Sequence, residues 1–290
     1  LLKKDFLALE EENNQAVTET EKEKKEKKKS MQKTHRDKND KRQFQNMIEN
    51  DSIKYKISNK VPVFGTMASV NMKKDELTKL VESNNYDFIL IDGQHAPLNE
   101  DSISDFCNIA NQLNIHVQFR IKHTNLAFLS GNYIDLGPSG VEIPQIELES
   151  TVVETLNNFY YPPKGIRSWG GQDRVGLSQK PSRLEYSYWW ENYGTLWLQL
   201  ESVDAVKNCR NFAKPGVDCL SFGPADLSFS LENTPDHNFK SIEDCVAFTA
   251  NELSDTNTAV CFRNDLGNRQ LYLDMGVTVL LETPKGKWAR

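Results

Sequence analysis

The chain has little of what marks a membrane, secreted or nucleic-acid-binding protein. No apolar run approaches the roughly 20 residues that span a bilayer. Charges interrupt residues 1–12, so we expect no secretory signal peptide. The net charge of −6 argues against a nucleic-acid-binding body. We therefore expect neither a membrane nor a nucleic acid as a partner.

Cysteine is also scarce, and no two cysteines have the spacing of a zinc or redox motif. The five cysteines lie in apolar periodic segments, at Cys107, Cys209, Cys219, Cys245 and Cys261. Their odd number and placement indicate buried thiols in a reducing compartment, and we expect a cytoplasmic protein. A Walker A loop, a GxGxxG loop and a nucleophile elbow are likewise missing.

The start of the chain is rich in charge. Residues 1–40 form a low-complexity arm in which residues 21–29 mix glutamate with lysine and lack an apolar face. This composition predicts a disordered or fraying-helical arm, with a basic contact to a partner or organelle targeting as alternatives. The pattern changes at Lys41, so we expect one domain over residues 41–290 that opens with a short helix over Arg42–Glu49.

Eight apolar segments alternate with helical patterns over the rest of the chain. The predicted strands are Val61–Met67, Phe88–Asp92, His116–Lys122, Gly140–Ile146, Leu196–Glu201, Cys219–Gly223, Ala259–Arg263 and Val277–Glu282. The predicted helices are Lys74–Asn84, Ser102–Gln112, Leu126–Leu136, Glu149–Phe159, Val203–Phe212, Ile242–Leu253 and Asn268–Met275. This alternation predicts an α/β protein with a TIM-type (β/α)8 barrel. The long connection over residues 160–195 indicates a lid or a subunit contact.

Four predicted strands end in side chains that carry chemistry. His95 follows the second strand, Arg120 ends the third, Glu201 ends the fifth and Asp226 follows the sixth. Because the carboxyl ends of parallel strands open on one mouth of a barrel, we expect these side chains to converge. Two carboxylates suit a hard divalent cation, and an arginine beside them suits an anionic substrate.

Four motifs in this region resemble a known family. They are residues 94–97 (Gln-His-Ala-Pro), 161–167 (Tyr-Pro-Pro-Lys-Gly-Ile-Arg), 198–202 (Leu-Gln-Leu-Glu-Ser) and 223–228 (Gly-Pro-Ala-Asp-Leu-Ser). In order and spacing they are similar to the HpcH/HpaI aldolases, metal-dependent class II pyruvate aldolases whose superfamily includes citrate lyase β-type enzymes. The resemblance extends from about Phe44 to about Thr283. It implies a homo-oligomer that uses Mg²⁺, Mn²⁺ or Co²⁺ and acts on pyruvate or oxaloacetate and an aldehyde.

The resemblance assigns the metal to Glu201 and Asp226. The alternative for Asp226 is the N-cap of a helix that starts near Leu227. The resemblance also implies that the turn before this helix holds the substrate carboxylate. Because Pro224 has no N–H, the amides of Ala225 and Asp226 are the expected donors.

The remaining site residues surround this pair. Arg120 is expected to offset enolate charge, with a salt bridge as the alternative. His95 is the candidate general base. The family pairs it with an aspartate that corresponds here to Asp135, whose alternative role is a polar helix end. Gln199 lies on the same side of its strand as Glu201 and either hydrogen-bonds a metal ligand or packs. Arg167 is expected at the rim.

One position departs from the family pattern, because Gln94 stands where glutamate commonly precedes the histidine. The change removes a charge and is expected to weaken metal binding or to shift the pKa of the base. A Schiff-base aldolase would need a strand-end lysine, for which Lys122 is a poor candidate.

The sequence therefore predicts a metal-dependent 2-oxo acid aldolase. A citrate-synthase-like or decarboxylating relative and a catalytically impaired barrel that serves as a scaffold or assembly subunit are the alternatives.

Overall fold

The computed structural model describes residues 52–180 and 182–283, which build a closed barrel of eight parallel strands. The strands are β1 Val63–Met67, β2 Phe88–Asp92, β3 His116–Arg120, β4 Gly140–Ile143, β5 Thr195–Leu200, β6 Cys219–Phe222, β7 Ala259–Asp265 and β8 Val279–Thr283. Each strand pairs with the next, and β8 pairs with β1. The predicted TIM-type barrel is confirmed. The predicted arm over residues 1–40 and the predicted helix over Arg42–Glu49 lie outside the described residues.

Helices form the outer layer of the barrel. They are α1 Ile53–Ser58, α2 Lys74–Asn84, α3 Glu100–Gln112, α4 Ser130–Ile134, α5 Glu149–Phe159, α6 Arg183–Tyr193, α7 Val203–Lys207, α8 Cys209–Phe212, α9 Pro224–Asn233, α10 Ile242–Glu252 and α11 Arg269–Asp274. Short 3₁₀ segments lie at Thr124–Leu129, Leu177–Gln179 and Leu266–Asn268. Within residues 52–180 and 182–283, none of the helices is both long and apolar enough to span a membrane.

Two predicted helices take a different form. The pattern over Leu126–Leu136 is a 3₁₀ segment followed by the short α4. The pattern over Val203–Phe212 divides at Asn208, which ends α7 and precedes α8. The side-chain amide of Asn208 donates to the carbonyl of Asp204 at 2.9 Å. Asparagine interrupts a helix in this way because its side chain competes for backbone hydrogen bonds.

Hydrophobic side chains close the amino-terminal end of the barrel. Helix α1 brings Ile53 and Ile57 onto an interior cluster that includes Phe88 and Trp197. The rings of Phe88 and Trp197 meet edge to face, with centroids 5.1 Å apart. Gly65 makes room for them, since a Cβ at this position would lie 2.3 Å from the Phe88 ring. Beside this cluster, the buried polar side chains of His116, Gln118 and Thr195 hydrogen-bond to one another. Further buried polar side chains lie toward the opposite end.

A second, larger hydrophobic core lies between the strands and the helices. Strand β2 is buried over its whole length, as expected for a parallel strand that is covered on both faces. The five cysteines are free and buried, as predicted.

The long connection between β4 and β5 is a packed aromatic layer. The rings of Tyr161, Trp169 and Tyr186 contact one another, with centroids 5.5 to 6.0 Å apart. The guanidinium of Arg174 stacks 4.0 Å above the Trp169 ring, and that of Arg167 stacks 4.6 Å above Tyr161. The connection is therefore ordered by cation–π and aromatic contacts. Its role as a lid or a subunit contact stays a prediction.

Candidate active site

A buried ion pair joins the ends of β2 and β3. The Arg120 guanidinium donates to both carboxylate oxygens of Asp92, with Nε–Oδ1 at 2.8 Å and Nη2–Oδ2 at 2.6 Å. Burial acts to raise the pKa of Asp92, but the hydrogen bonds and charge of Arg120, with smaller contributions from Gln94 and His95, together hold that pKa below its ordinary value. The third donor, Nη1 of Arg120, lies 3.3 Å from Oε1 of Gln199. Arg120 thus has one fixed orientation.

Glu201 follows β5 and is almost completely buried. One carboxylate oxygen accepts a hydrogen bond from the backbone N–H of Gln145 at 2.8 Å. Gly223 approaches the other oxygen so closely that a Cβ there would lie 2.2 Å from Oε1. Burial and, second, the negative charge of Asp226 raise the pKa of Glu201 to about 7. The surroundings of Glu201 therefore make ionisation of its carboxyl group less favourable than in water.

Asp226 lies in the first turn of α9 and is half-buried. The helix begins at Pro224 with Gly223 as its N-cap, so the alternative in which Asp226 caps a helix near Leu227 is wrong. The amides of Ala225 and Asp226 belong to the first turn, whose N–H groups have no acceptor within the helix. The turn thus combines a carboxylate with backbone donors, and their binding of a substrate carboxylate stays a prediction.

Glu201 and Asp226 offer carboxylate oxygen atoms as possible ligands for a metal ion. Such atoms are the ligands that Mg²⁺ and Mn²⁺ prefer, and a cation between the two carboxylates would relieve their repulsion. In the described part of the chain, no three His, Cys, Asp or Glu side chains are grouped so as to hold a metal ion. A cation held by Glu201 and Asp226 would take its other ligands from water or a substrate.

His95 lies in the exposed turn after β2. It is near enough to Asp92 to contribute to lowering the pKa of that carboxylate. The neighbouring Gln94 donates its backbone N–H to Asp92 at 2.9 Å. The side-chain oxygen of Gln94 is buried, with no hydrogen-bond partner among the described residues. His95 thus lies beside the site, and its role as a base stays a prediction.

Asp135 is held by the aromatic layer of the long connection. Its Oδ1 accepts a hydrogen bond from Nη2 of Arg167 at 2.6 Å and lies 4.0 Å from Nε of Arg174. Burial raises the pKa of Asp135, although Arg167 partly offsets that increase. Within one copy of the described chain, Asp135 has a hydrogen bond to Arg167 and none to His95. The predicted pairing of His95 with Asp135 stays a prediction.

Three buried polar residues inside the barrel were not predicted as part of the site. Glu142 on β4 accepts hydrogen bonds from Arg263 on β7, with Nη2–Oε2 at 3.0 Å, and from the hydroxyl of Ser221 on β6. Glu142 is fully buried, and it acts electrostatically on Arg120 and Glu201. A glutamate inside the apolar segment Gly140–Ile143 was the sign in the sequence that could have revealed it.

The fold is an α/β barrel, and these side chains form a candidate active site at the carboxyl ends of its strands. The chain belongs to the HpcH/HpaI aldolase/citrate lyase family, whose model matches residues 66–259. The predicted resemblance is confirmed.

A relative and two solved structures are similar to this chain. A hydroxypyruvate/pyruvate aldolase of Roseobacter denitrificans is 25% identical over 259 residues, which are 82% of this chain and 97% of the relative. The crystal structure of an HpcH/HpaI aldolase from Desulfitobacterium hafniense matches with a TM-score of 0.70 and 24% identity, over 81% of this chain and 90% of that one. The citrate synthase SbnG matches with a TM-score of 0.67 and 20% identity, over 82% and 93%. The two structural matches show a shared fold.

Proposed function

We propose that this chain is a divalent-metal-dependent carbon–carbon lyase, an aldolase that acts on a 2-oxo acid. The observation that carries the proposal is the pair of carboxylates at the mouth of the barrel. Burial and the neighbouring Asp226 raise the pKa of Glu201 to about 7, so ionisation of Glu201 is unfavourable. A bound cation would make that ionisation favourable. Family membership and the aldolase from R. denitrificans support the same reaction class.

Glu201 and Asp226 would hold the metal. When bound, Mg²⁺, Mn²⁺ or Co²⁺ would polarise the 2-oxo group as a Lewis acid. The amides of Ala225 and Asp226 bind the carboxylate of the 2-oxo acid. Arg120, fixed by Asp92, offsets the negative charge that develops on the oxygen of the 2-oxo group.

The proposed cleavage breaks the bond between C3 and C4 of a 4-hydroxy-2-oxo acid. The electron pair stays on C3 as the enolate of pyruvate, and C4 leaves as an aldehyde. The base takes the proton of the 4-hydroxyl group, and C3 is then protonated. His95 is the proposed base, and Asp135 is its proposed partner. In the reverse direction His95 takes a proton from the methyl group of pyruvate.

Proton exchange at the methyl group of pyruvate tests the proposal without an aldehyde. In deuterated buffer, the full chain is expected to exchange these protons when Mg²⁺, Mn²⁺ or Co²⁺ is added and to stop when EDTA is added. Exchange that persists in EDTA, together with covalent labelling by pyruvate and borohydride, would instead establish Schiff-base chemistry through a lysine such as Lys122.

A non-catalytic scaffold is the second candidate, and Gln94 is the observation that favours it. Its amide replaces a carboxylate beside His95, and its side-chain oxygen is buried without a partner in the described residues. A folded sample that shows no exchange with any of the three metals would favour the scaffold.

A further inference from the structure

Four side chains that face the barrel interior have a buried hydrogen-bond donor without an acceptor among the described residues. Those of Gln118 and Trp197 lie nearer the closed end, and those of Gln199 and Arg263 lie nearer the mouth. Nη1 of Arg263 and Nε2 of Gln199 are buried, with no partner in residues 52–180 and 182–283. Arg263 is 6% exposed and Gln199 is completely buried. Unsatisfied buried donors are costly and uncommon, and an acceptor from a water, an ion or a ligand would satisfy them.

The strand register places the donors of Gln199 and Arg263 in the layer that contains Arg120. The strands of an eight-stranded barrel are tilted, so two paired residues on neighbouring strands do not lie at the same height along the barrel axis. To stay at one height, the position must move about one residue toward the carboxyl end for each strand crossed, and therefore two residues for every second strand. Arg120 pairs with Glu142, and Glu142 pairs with Trp197; two positions beyond Trp197 is Gln199. The bond between Arg120 and Gln199 agrees with this layer.

The same step from Gln199 leads to Arg263. Gln199 pairs with Ser221, Ser221 pairs with Cys261, and two positions beyond Cys261 is Arg263. Arg120, Gln199 and Arg263 therefore face the interior from alternate strands, in one layer. Glu142 and Ser221 belong to the layer beneath, nearer the closed end.

Glu142 holds Arg263 in place but accepts a hydrogen bond from only one of its guanidinium nitrogens. β4 and β7 are not neighbours in the barrel, so the contact between Nη2 of Arg263 and Glu142 crosses the interior. The other oxygen of Glu142 is taken by Ser221. Because a guanidinium has five N–H donors, Arg263 keeps donors for a further acceptor.

We propose that Arg263, with the side-chain amide of Gln199, binds a second carboxylate of the reactants, in addition to the carboxylate of the 2-oxo acid. This inference rests on the proposed function, and it makes Arg263 a residue that determines specificity. The second carboxylate belongs either to a dicarboxylic 2-oxo acid or to an acidic aldehyde. A planar guanidinium and a carboxylate match in geometry and charge, which makes this group the favoured ligand.

Removing Arg263 alone would leave Glu142 buried and unpaired, so the test uses the double variant Glu142→Leu/Arg263→Met. A matched control removes a buried pair outside the site. Arg269 binds both oxygens of Glu282, at 2.7 and 2.8 Å, on the outer side of β8. Its double variant is Glu282→Leu/Arg269→Met. Arg263→Lys, which keeps the charge but loses the planar fork, is the second test variant if the first does not fold.

Calorimetric binding to the Mn²⁺-loaded protein addresses a dicarboxylic 2-oxo acid. We expect the wild type and the control to prefer 2-oxoglutarate over 2-oxovalerate, and the Arg263 variants to lose about tenfold to hundredfold of that preference.

Aldol addition of pyruvate addresses an acidic aldehyde. The ratio of kcat/KM for glyoxylate over glycolaldehyde is expected to fall by a similar factor in the Arg263 variants. A fall in either preference supports the inference and names the source of the carboxylate. If the Arg263 variants show the same preferences as the control in both measurements, the proposed role of Arg263 is wrong. Absence of pyruvate proton exchange in the wild type contradicts the proposed function alone, because the binding preference can still be measured.

Discussion

Replacing Glu201 by glutamine is expected to stabilise the metal-free protein at neutral and alkaline pH. The pKa of Glu201 rises from 4.5 to about 7 in the fold. A carboxyl group with a raised pKa favours the fold when protonated, and that advantage is lost as the pH rises from the unfolded pKa through the folded one. Between pH 5 and pH 8 the wild type should therefore lose about 2 kcal/mol relative to Glu201→Gln.

Urea denaturation in EDTA at pH 5, 6, 7 and 8 measures this difference. Asp204→Asn is the control, because its carboxylate is 73% exposed in a pair with Lys207, and surface pairs contribute little. Adding Mn²⁺ should reverse the order, since a ligand that binds only the folded wild type stabilises it. A stability difference between Glu201→Gln and the wild type that stays constant from pH 5 to pH 8 would refute the reasoning.

Three further substitutions separate the roles in the site. His95→Ala should lower metal-dependent pyruvate proton exchange by about 10²-fold or more with little change in Mn²⁺ affinity; a large fall in affinity in calorimetry would contradict its role as base. Gly223→Ala should displace the Glu201 carboxylate, because the new Cβ would lie 2.2 Å from Oε1. It should weaken Mn²⁺ binding and destabilise the protein by about 1–3 kcal/mol in urea denaturation, and wild-type values of both would be inconsistent with the close approach. Gln94→Glu should tighten Mn²⁺ binding by adding a negative charge near Asp92. Unchanged or weaker binding would show that residue 94 does not assist metal binding.

The architecture was predictable because each strand is a short, continuously apolar segment followed by turn residues. A parallel strand buried on both faces requires such a segment, and the eight predicted strands all correspond to observed ones. Helix α6 was not predicted as a helix. Its buried Tyr186, Trp189 and Trp190 alternate with Leu184 and Tyr188, which are 80% and 60% exposed. Because large apolar side chains lie on its exposed face as well as on its buried face, the helix lacks the periodicity that identifies an amphipathic helix.

The positions of Arg120, Glu201 and Asp226 at or just after the carboxyl ends of strands were predictable from the sequence; their roles stay predictions. The partners of these residues were less accessible, because they depend on which strands face one another across the barrel. The contact between Glu142 and Arg263 joins strands that are neither consecutive nor adjacent. The binding of Asp135 by Arg167 depends on the path of the aromatic layer, which no local pattern specifies.

Calorimetric titration of Mn²⁺ into the wild type, Glu201→Gln and Asp226→Asn tests the central claim most directly. We expect one metal per chain in the wild type. Loss of a residue that hydrogen-bonds to a metal ligand typically lowers metal affinity by roughly 10- to 100-fold, and loss of a ligand itself should lower the Mn²⁺ affinity of each variant by more than that. Both variants should remain folded by circular dichroism. Wild-type affinity in both carboxylate variants would contradict the metal site and the aldolase function that depends on it.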